Sequence, residues 1–314
     1  MAETTTNYPM IVPIEPMVPE RAAKVADLLQ GAVDLHCHSG PAAMPRILGH
    51  HQAFQEAEEA GFKALLYKDH YYVGMPHCAT LREVYPEMKT KLFSGVALNN
   101  ATGGINPYAV DHSNKIGGKI VWFPTFSARN HIEAYASKAF PKTARPMLAP
   151  TPLSVLDANG QLIDNAKKIC DLIAEDDVIL SSGHLSVAEL VVLFEEARSR
   201  GVKKLMINHP SYLIGCSDQD IRDFVAMGVY MEHSICMFIA GRAQMHDPAD
   251  LKHLIDVAGV EHTILGSDLG LTQAPKPVDG FRSITSLLID LGYSDDQIRK
   301  MTSKNAAGLL GLDA

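Results

Sequence analysis

Gly31-Ala-Val-Asp-Leu-His-Cys-His-Ser-Gly40 decides how the rest of the chain is read. Its apolar run, Ala32, Val33 and Leu35 around Asp34, reads as a buried strand. Side chains alternate along a strand, so His36 and His38 are expected on one side and Cys37 on the other. Two imidazoles at the end of a strand, facing one way, make half of a metal site. The spacing alone does not settle the matter, since surface histidines also fall at it by chance.

From Gly31 onward, strand-like and helix-like segments alternate. The strand candidates are 32–36, 64–67, 92–98, 119–123, 178–182, 204–208, 229–232 and 263–266. Between them lie helical patterns such as Val187-Ala-Glu-Leu-Val-Val-Leu-Phe-Glu-Glu-Ala-Arg198, with apolar residues at three- and four-residue steps. Gly61, Gly118, Gly201 and Gly228 mark turns into strands. Strands separated by helices imply right-handed βαβ units and a parallel sheet. Eight such units predict a closed (β/α)8 TIM barrel over residues 31–314. The rival is a doubly wound open sheet, and no Gly-rich dinucleotide or phosphate loop supports it. Residues 1–30 read as an N-terminal arm kept extended by Pro13, Pro16 and Pro19, followed by one helix. The longest irregular stretch, Phe126 to Leu162, ends in an Asn-Gly signal for a small inserted hairpin.

Composition narrows the partners. A chain of 314 residues, 46% hydrophobic, can bury a large core. A formal net charge of −8 argues against nucleic acid or an anionic membrane surface. The apolar runs are strand-sized, so no membrane-spanning helix is expected. The start, Met1-Ala-Glu-Thr-Thr-Thr-Asn-Tyr8, lacks the basic residues and apolar core of a secretory signal. Five scattered cysteines, Cys37, Cys78, Cys170, Cys216 and Cys236, form no Cys-X-X-Cys pair. They predict reduced thiols and a cytoplasmic location. A homo-oligomer acting on a small molecule is expected.

A parallel barrel builds its active site at the C-terminal ends of its strands. There the sequence places His36 and His38, Lys68-Asp69-His70, Ser182-Gly183-His184, Asn208-His209-Pro210, Glu232-His233 and Ser267-Asp268. Any one of these histidines could be a satisfied core residue. A random scatter of 14 histidines would not favour strand ends so strongly.

His36-X-His38, His184, His209 and Asp268, each after its own strand, resemble the amidohydrolase superfamily of metal-dependent hydrolases. The ending Asn305-Ala-Ala-Gly-Leu-Leu-Gly-Leu312 is similar to that superfamily's terminal helix. More narrowly, His38-Ser-Gly-Pro41, Leu98-Asn-Asn100, Gly183-His-Leu-Ser186, His209-Pro210 and Ser267-Asp-Leu-Gly270 resemble a poorly characterised branch known as a domain of unknown function. That likeness carries fold and metal chemistry but no substrate.

The resemblance assigns His36, His38 and Asp268 to one divalent ion, with His184 and His209 available to a second. A single ion held by His36, His38, His184 and Asp268 stays open. Zinc is expected first, with manganese or iron as alternatives. Binuclear relatives often bridge their ions with a carboxylated lysine or a glutamate of the fourth strand. Here that strand reads Val121-Trp-Phe-Pro-Thr125 and has neither. Lys68, if carboxylated, is the candidate substitute, with a salt bridge to Asp69 or an electrostatic contact to substrate as the alternatives. Asp268, His209 and Lys68 are the expected catalytic residues, with Asp268 moving the proton of the attacking water to the leaving group.

Several residues around this centre are candidates to contact substrate. Arg46 could hold a carboxylate bidentately. Asn99 and Asn100 could donate to a carbonyl. His70 and Tyr71 could line the pocket. His131, in the long loop after strand four, could cover it. Alternation lets only one of Glu232 and His233 face inward, and Glu232 is taken as the contact. The reading is therefore a metal-dependent hydrolase of a carbon–nitrogen bond, in an amide, lactam or related molecule. A metal-dependent decarboxylase of an aromatic or enoic acid is the alternative. An inactive barrel serving in binding or assembly is a third reading.

Overall fold

A computed structural model describes residues 10–136 and 143–312. The first nine residues of the expected arm, six residues of the long stretch and the last two residues lie outside the described residues. Among the described residues nine short strands follow in chain order: β1 (Val33–Cys37), β2 (Ala64–Tyr67), β3 (Lys91–Phe93), β4 (Gly95–Ala97), β5 (Ile120–Trp122), β6 (Ile179–Ser181), β7 (Leu205–Asn208), β8 (Tyr230–Ser234) and β9 (Thr263–Gly266). All neighbours pair in parallel, β1-β2-β3 in one run and β4 through β9 in the other.

β3 and β4 are two pieces of one stave. The break falls at Ser94, whose N–H turns to Met75 Sδ at 3.3 Å instead of joining a ladder. The expected strand 92–98 is thus present but interrupted. Counting the pair as one leaves eight staves, and the ring closes between first and last. Asp268 N donates to His36 O at 2.6 Å, and His38 N donates to Leu269 O at 2.7 Å. Asp34 Oδ1 accepts from the N–H groups of both His36 and Ser267, each at 2.9 Å. This latch excludes the open doubly wound sheet, which has free edges. The fold is a (β/α)8 barrel.

Helices His50–Glu59, Met75–Val84, Pro107–Lys115, Asp164–Asp176, Val187–Ser199, Asp218–Ala226, Pro248–Ala258 and Pro277–Asp290 alternate with the staves. Val187–Ser199 shows why such segments are helical. Ser186 caps it in a box with Glu189, and Leu190, Leu193, Phe194 and Ala197 line its buried face. The shell between strands and helices holds Leu65, Val121, Leu180, Ile207 and Leu265 among others. Cys37 packs there, as expected, and so do Met231 and Met237. The barrel interior holds Val33, Leu35, Leu66, Ile120, Trp122, Ile179, Met206 and Ile264. Ala306, Ala307, Leu309 and Leu310 of the C-terminal helix join that inner cluster. Each such large side chain contributes about 1.5–3 kcal/mol on burial.

Helix Pro19–Leu28 packs on Pro277–Asp290, where Arg21 meets Asp290 at 2.7 Å. Farther along, a short helix, Arg129–Ala134, occupies part of the stretch expected to be irregular. The small inserted hairpin appears as an antiparallel bridge between Leu156 and Leu162. All five cysteines are free thiols. Among the described residues no helix is long and apolar enough to cross a membrane.

Candidate metal centre

His36 and His38 reach the barrel mouth through a break in strand alternation. Val33 and Leu35 already point into the interior. Pairing with β2 then slips by one residue between Asp34 and Cys37, a β-bulge. Past the slip, His36 and His38 also face the cavity while Cys37 packs outward. The two imidazoles do share a side, but the bulge sets it.

Behind each ring stands an acceptor. His36 Nδ1 donates to Glu232 Oε2 at 2.8 Å, and His38 Nδ1 donates to the Lys68 carbonyl at 2.9 Å. A carboxylate and a carbonyl can only accept, so both Nδ1 atoms carry the hydrogen. Both Nε2 atoms then present lone pairs to the cavity. Asp268 Oδ1 lies 3.3 Å from His36 Nε2 and 3.1 Å from His38 Nε2. Burial pushes the His38 ring down to about 3, with Arg46 adding to the shift, so it is neutral near pH 7. Burial would raise the Asp268 carboxyl, but His36, His38 and His209 hold it well below the ordinary range. Two imidazole Nε2 atoms and one carboxylate oxygen thus converge within 4.8 Å of one another. Such a cluster calls for a cation, and two imidazoles with a carboxylate suit a divalent metal.

The support under His36 runs through the barrel interior. Asn208 Nδ2 and Ser234 Oγ donate to the Glu232 carboxylate, and Ser181 Oγ donates to Asn208 Oδ1. Burial would raise the Glu232 carboxyl, yet His36, His209 and Asn208 keep it below its ordinary value. Glycine makes room for the pair. A Cβ at Gly266 would meet Glu232 Oε1 at 2.7 Å and His36 Cβ at 3.0 Å. Glu232 was expected to contact substrate. It is instead fully buried beneath His36, with its oxygens bound to protein groups.

Lys68 lies in the same cavity. Its Nζ is 3.2 Å from His36 Nε2 and 5.5 Å from the Trp122 ring centre. Burial lowers the ammonium to about 8. No salt bridge to Asp69 forms, and Asp69 Oδ1 accepts from Tyr71 N at 2.8 Å.

Across the cavity stand His131, His184 and His209. Gly183 sets up His184. It adopts φ +56°, and a Cβ there would lie 2.0 Å from the Phe123 carbonyl. His184 Nδ1 meets His131 Nδ1 at 2.7 Å, and the two rings stack at 4.8 Å. The His209 ring lies 5.0 Å from that of His184 and 6.1 Å from that of His36. His209 Nδ1 is buried without a protein partner. Burial pushes His131 and His209 down to about 4 and His184 well below its ordinary value. His209 and Asp268 both have positive φ, 35° and 48°. Backbone strain of this kind gathers at functional sites.

Arg46 and His70 also line the cavity. His70 Nδ1 bonds Thr125 Oγ1 at 2.8 Å. Three other expected contacts do not reach it. Asn99 is buried and spends its amide on the His70 carbonyl, Thr125 and Ser127. Asn100 is exposed and accepts from Thr151 N at 2.8 Å. Tyr71 stands behind His70 and Phe126. Residue types alone did not single out Met44, Phe126, Tyr135, Tyr212, Arg242 and Leu271, which complete the wall. All six follow strand ends, the one signal that could have found them. The cavity is small, about 130 Å³.

Comparison with known proteins then places the chain. A family model matches residues 31–232, a span that includes His36, His38, Lys68, His184 and His209. The chain belongs to a family of unknown function (DUF6282). A comparison with curated proteins gives no match. Solved structures similar to it include a probable dipeptidase, PvdM, from Pseudomonas aeruginosa. That one has a TM-score of 0.63 at 12% identity, over 93% of this chain and 97% of that one. An amidohydrolase from Pseudomonas aeruginosa has a TM-score of 0.60 at 12% identity, over 92% and 98%. A PTE-like lactonase mutant from Deinococcus radiodurans has a TM-score of 0.58 at 15% identity, over 91% and 97%. The DUF6282 chain thus shares the barrel fold of these proteins.

Proposed function

We propose that this protein is a metal-dependent hydrolase that cleaves a carbon–nitrogen bond of a small molecule, an amide, a lactam or a relative of these. The reading rests on one observation. Two imidazole lone pairs and a carboxylate oxygen converge at the barrel mouth, each imidazole fixed from behind in the tautomer that frees Nε2. His36, His38 and Asp268 would hold the ion. A divalent metal there supplies Lewis acidity and lowers the pKa of water to about 7; zinc is the first candidate, with manganese and iron next.

This chain's own groups do the rest. Asp268, ionised by its neighbours, accepts a proton from the attacking water and delivers it to the leaving nitrogen. Lys68 Nζ, beside His36, stands where it can donate to an oxygen gaining negative charge. His209 faces the same space and orients the substrate or takes part in holding a second ion. The small cavity favours a compact substrate.

Elemental analysis of purified protein and a turnover screen over lactams, imides and simple amides test this. At least one equivalent of divalent metal and release of an amine with a new carboxylate are expected. Protein with well under one equivalent, and no activation by zinc, manganese or iron, overturns the metal reading. Carbon dioxide as the product would make the protein a decarboxylase instead.

A further inference from the structure

Arg46 is the charged group in the cavity that the proposed chemistry leaves without a task. It sits in the loop after β1, pinned to the segment after β9. Arg46 and Leu271 form an antiparallel bridge, and Ile47 N donates to Gly270 O at 3.0 Å. Its side chain lines the cavity with His38, Lys68 and Asp268. Nε and NH1 are buried and have no protein acceptor. NH2 approaches His38 Nδ1 at 3.2 Å, but the hydrogen on that nitrogen already points to the Lys68 carbonyl. The contact therefore offers the guanidinium no lone pair. Among the described residues no carboxylate lies within 4.0 Å of it. An arginine whose buried Nε and NH1 lack acceptors is expensive unless something supplies them.

Charge points the same way. Arg46, Lys68 and Arg242 line the cavity with Asp268, and the buried carboxylates of Asp69 and Glu232 act on Arg46 and Lys68 from behind its wall. These charges balance, and a divalent ion would tip the site positive. Arg242 is held at the rim, where NH1 donates to Thr272 Oγ1 at 2.9 Å.

We infer that Arg46 is the anchor for a substrate carboxylate, so that the substrate class is a small carboxylic acid carrying its anion close to the bond that is cut. This deepens the hydrolase reading and rests on it for the identity of the cleaved bond. A guanidinium edge offers two parallel N–H groups, which match the two oxygens of a carboxylate. One fork in a cavity of about 130 Å³ fits that anion better than a phosphate. An engineered cavity of about 150 Å³ holds benzene, which sets the scale of the acid. Arg46 NH2 lies beside the His38 ring whose other nitrogen meets Asp268, so only a few bonds separate the anchored anion from the reacting atom.

Calorimetric binding of benzoate and of neutral benzamide tests this without turnover. It is done with metal-loaded and metal-stripped protein, with metal content measured in every sample. Benzoate should bind the wild type in both forms and benzamide far more weakly. Arg46→Gln should weaken benzoate roughly ten- to a hundredfold, the range for a hydrogen bond to a charged group, with its metal retained. Benzoate bound equally by Arg46→Gln overturns the inference. So does binding that vanishes with the metal and ignores Arg46→Gln, since the ion would then hold the anion. Should Arg46→Gln not fold, Arg46→Lys keeps the charge and loses the fork. An unchanged benzoate affinity there also overturns it. Failure of the hydrolase reading would appear elsewhere, in the metal analysis and the amide screen.

Discussion

The two sides of the cavity mouth are both rich in histidine but are built differently. On one side His36, His38 and Asp268 are held from behind. Their strands are latched by backbone hydrogen bonds, and each imidazole has an acceptor fixing its tautomer. On the other side His131 and His184 spend Nδ1 on each other, and His209 Nδ1 is buried without a protein partner. The first group is preorganised by strand register and a buried carboxylate. The second joins His131 of the short helix Arg129–Ala134 to His184 and His209 beyond their strand ends, and it holds itself together ring against ring. Rigid support of this kind usually governs metal affinity. The first side should therefore bind an ion by itself, and the second should matter more for what is done with substrate.

The largest expected effect is on turnover by Asp268→Asn. The amide keeps one coordinating oxygen and loses the base. Turnover of an established substrate should fall about 10²–10⁴-fold, the usual range for losing a general acid–base group. Metal should survive in part, as elemental analysis would record. Near-normal turnover would move the proton transfers to the opposite side, with His209 the first suspect.

Metal affinity tests the asymmetry next. His36→Ala or His38→Ala should cost at least roughly ten- to a hundredfold, by comparison with the loss of residues that merely support ligands. His184→Ala should leave the first ion in place. Competition with a chelator would read both. Equal losses from the two sides would mean one shared ion bound across the cavity, and the comparison would break.

A finer test lies beneath the rings. Glu232→Gln removes the acceptor charge behind His36 and should weaken metal binding or activity by about ten- to a hundredfold. Gly266→Ala should act in the same direction, because its Cβ would press on both Glu232 and His36. Wild-type affinity in both variants would show that the bulge alone orients His36.

These tests also mark where sequence was informative. The alternation of apolar runs and helical patterns was enough for the barrel, because burial dictates both periods. His36, His38 and Asp268 were legible since strand ends in such a barrel converge on one mouth. Glu232 was not. Alternation correctly turned it inward, but depth along the strand decides between cavity wall and buried support, and depth depends on register. Asn99 and Asn100 failed for a related reason. Their amides satisfy the backbone of neighbouring loops, a demand that only the folded path of those loops reveals. Arg242 and Tyr212 reach the cavity from loops with no periodic signal.

The smallest effect concerns a histidine that belongs to neither side. His233 follows Glu232 on β8 and faces the opposite way, buried with neither ring nitrogen partnered by protein. Burial pushes it down to about 4. An unfolded chain would titrate it near 6.5. Between these values the unfolded state binds the extra proton, so stability is full above about pH 6.5 and declines as pH falls toward 4. One such group costs about 2 kcal/mol by pH 5. His233→Leu cannot take up that proton in either state. Its unfolding midpoint in urea should therefore fall less than that of the wild type between pH 7 and 5, with metal content unchanged. A parallel decline in both proteins would place the acid sensitivity in the histidines of the cavity, and the ring of His233 would then be a neutral packing element.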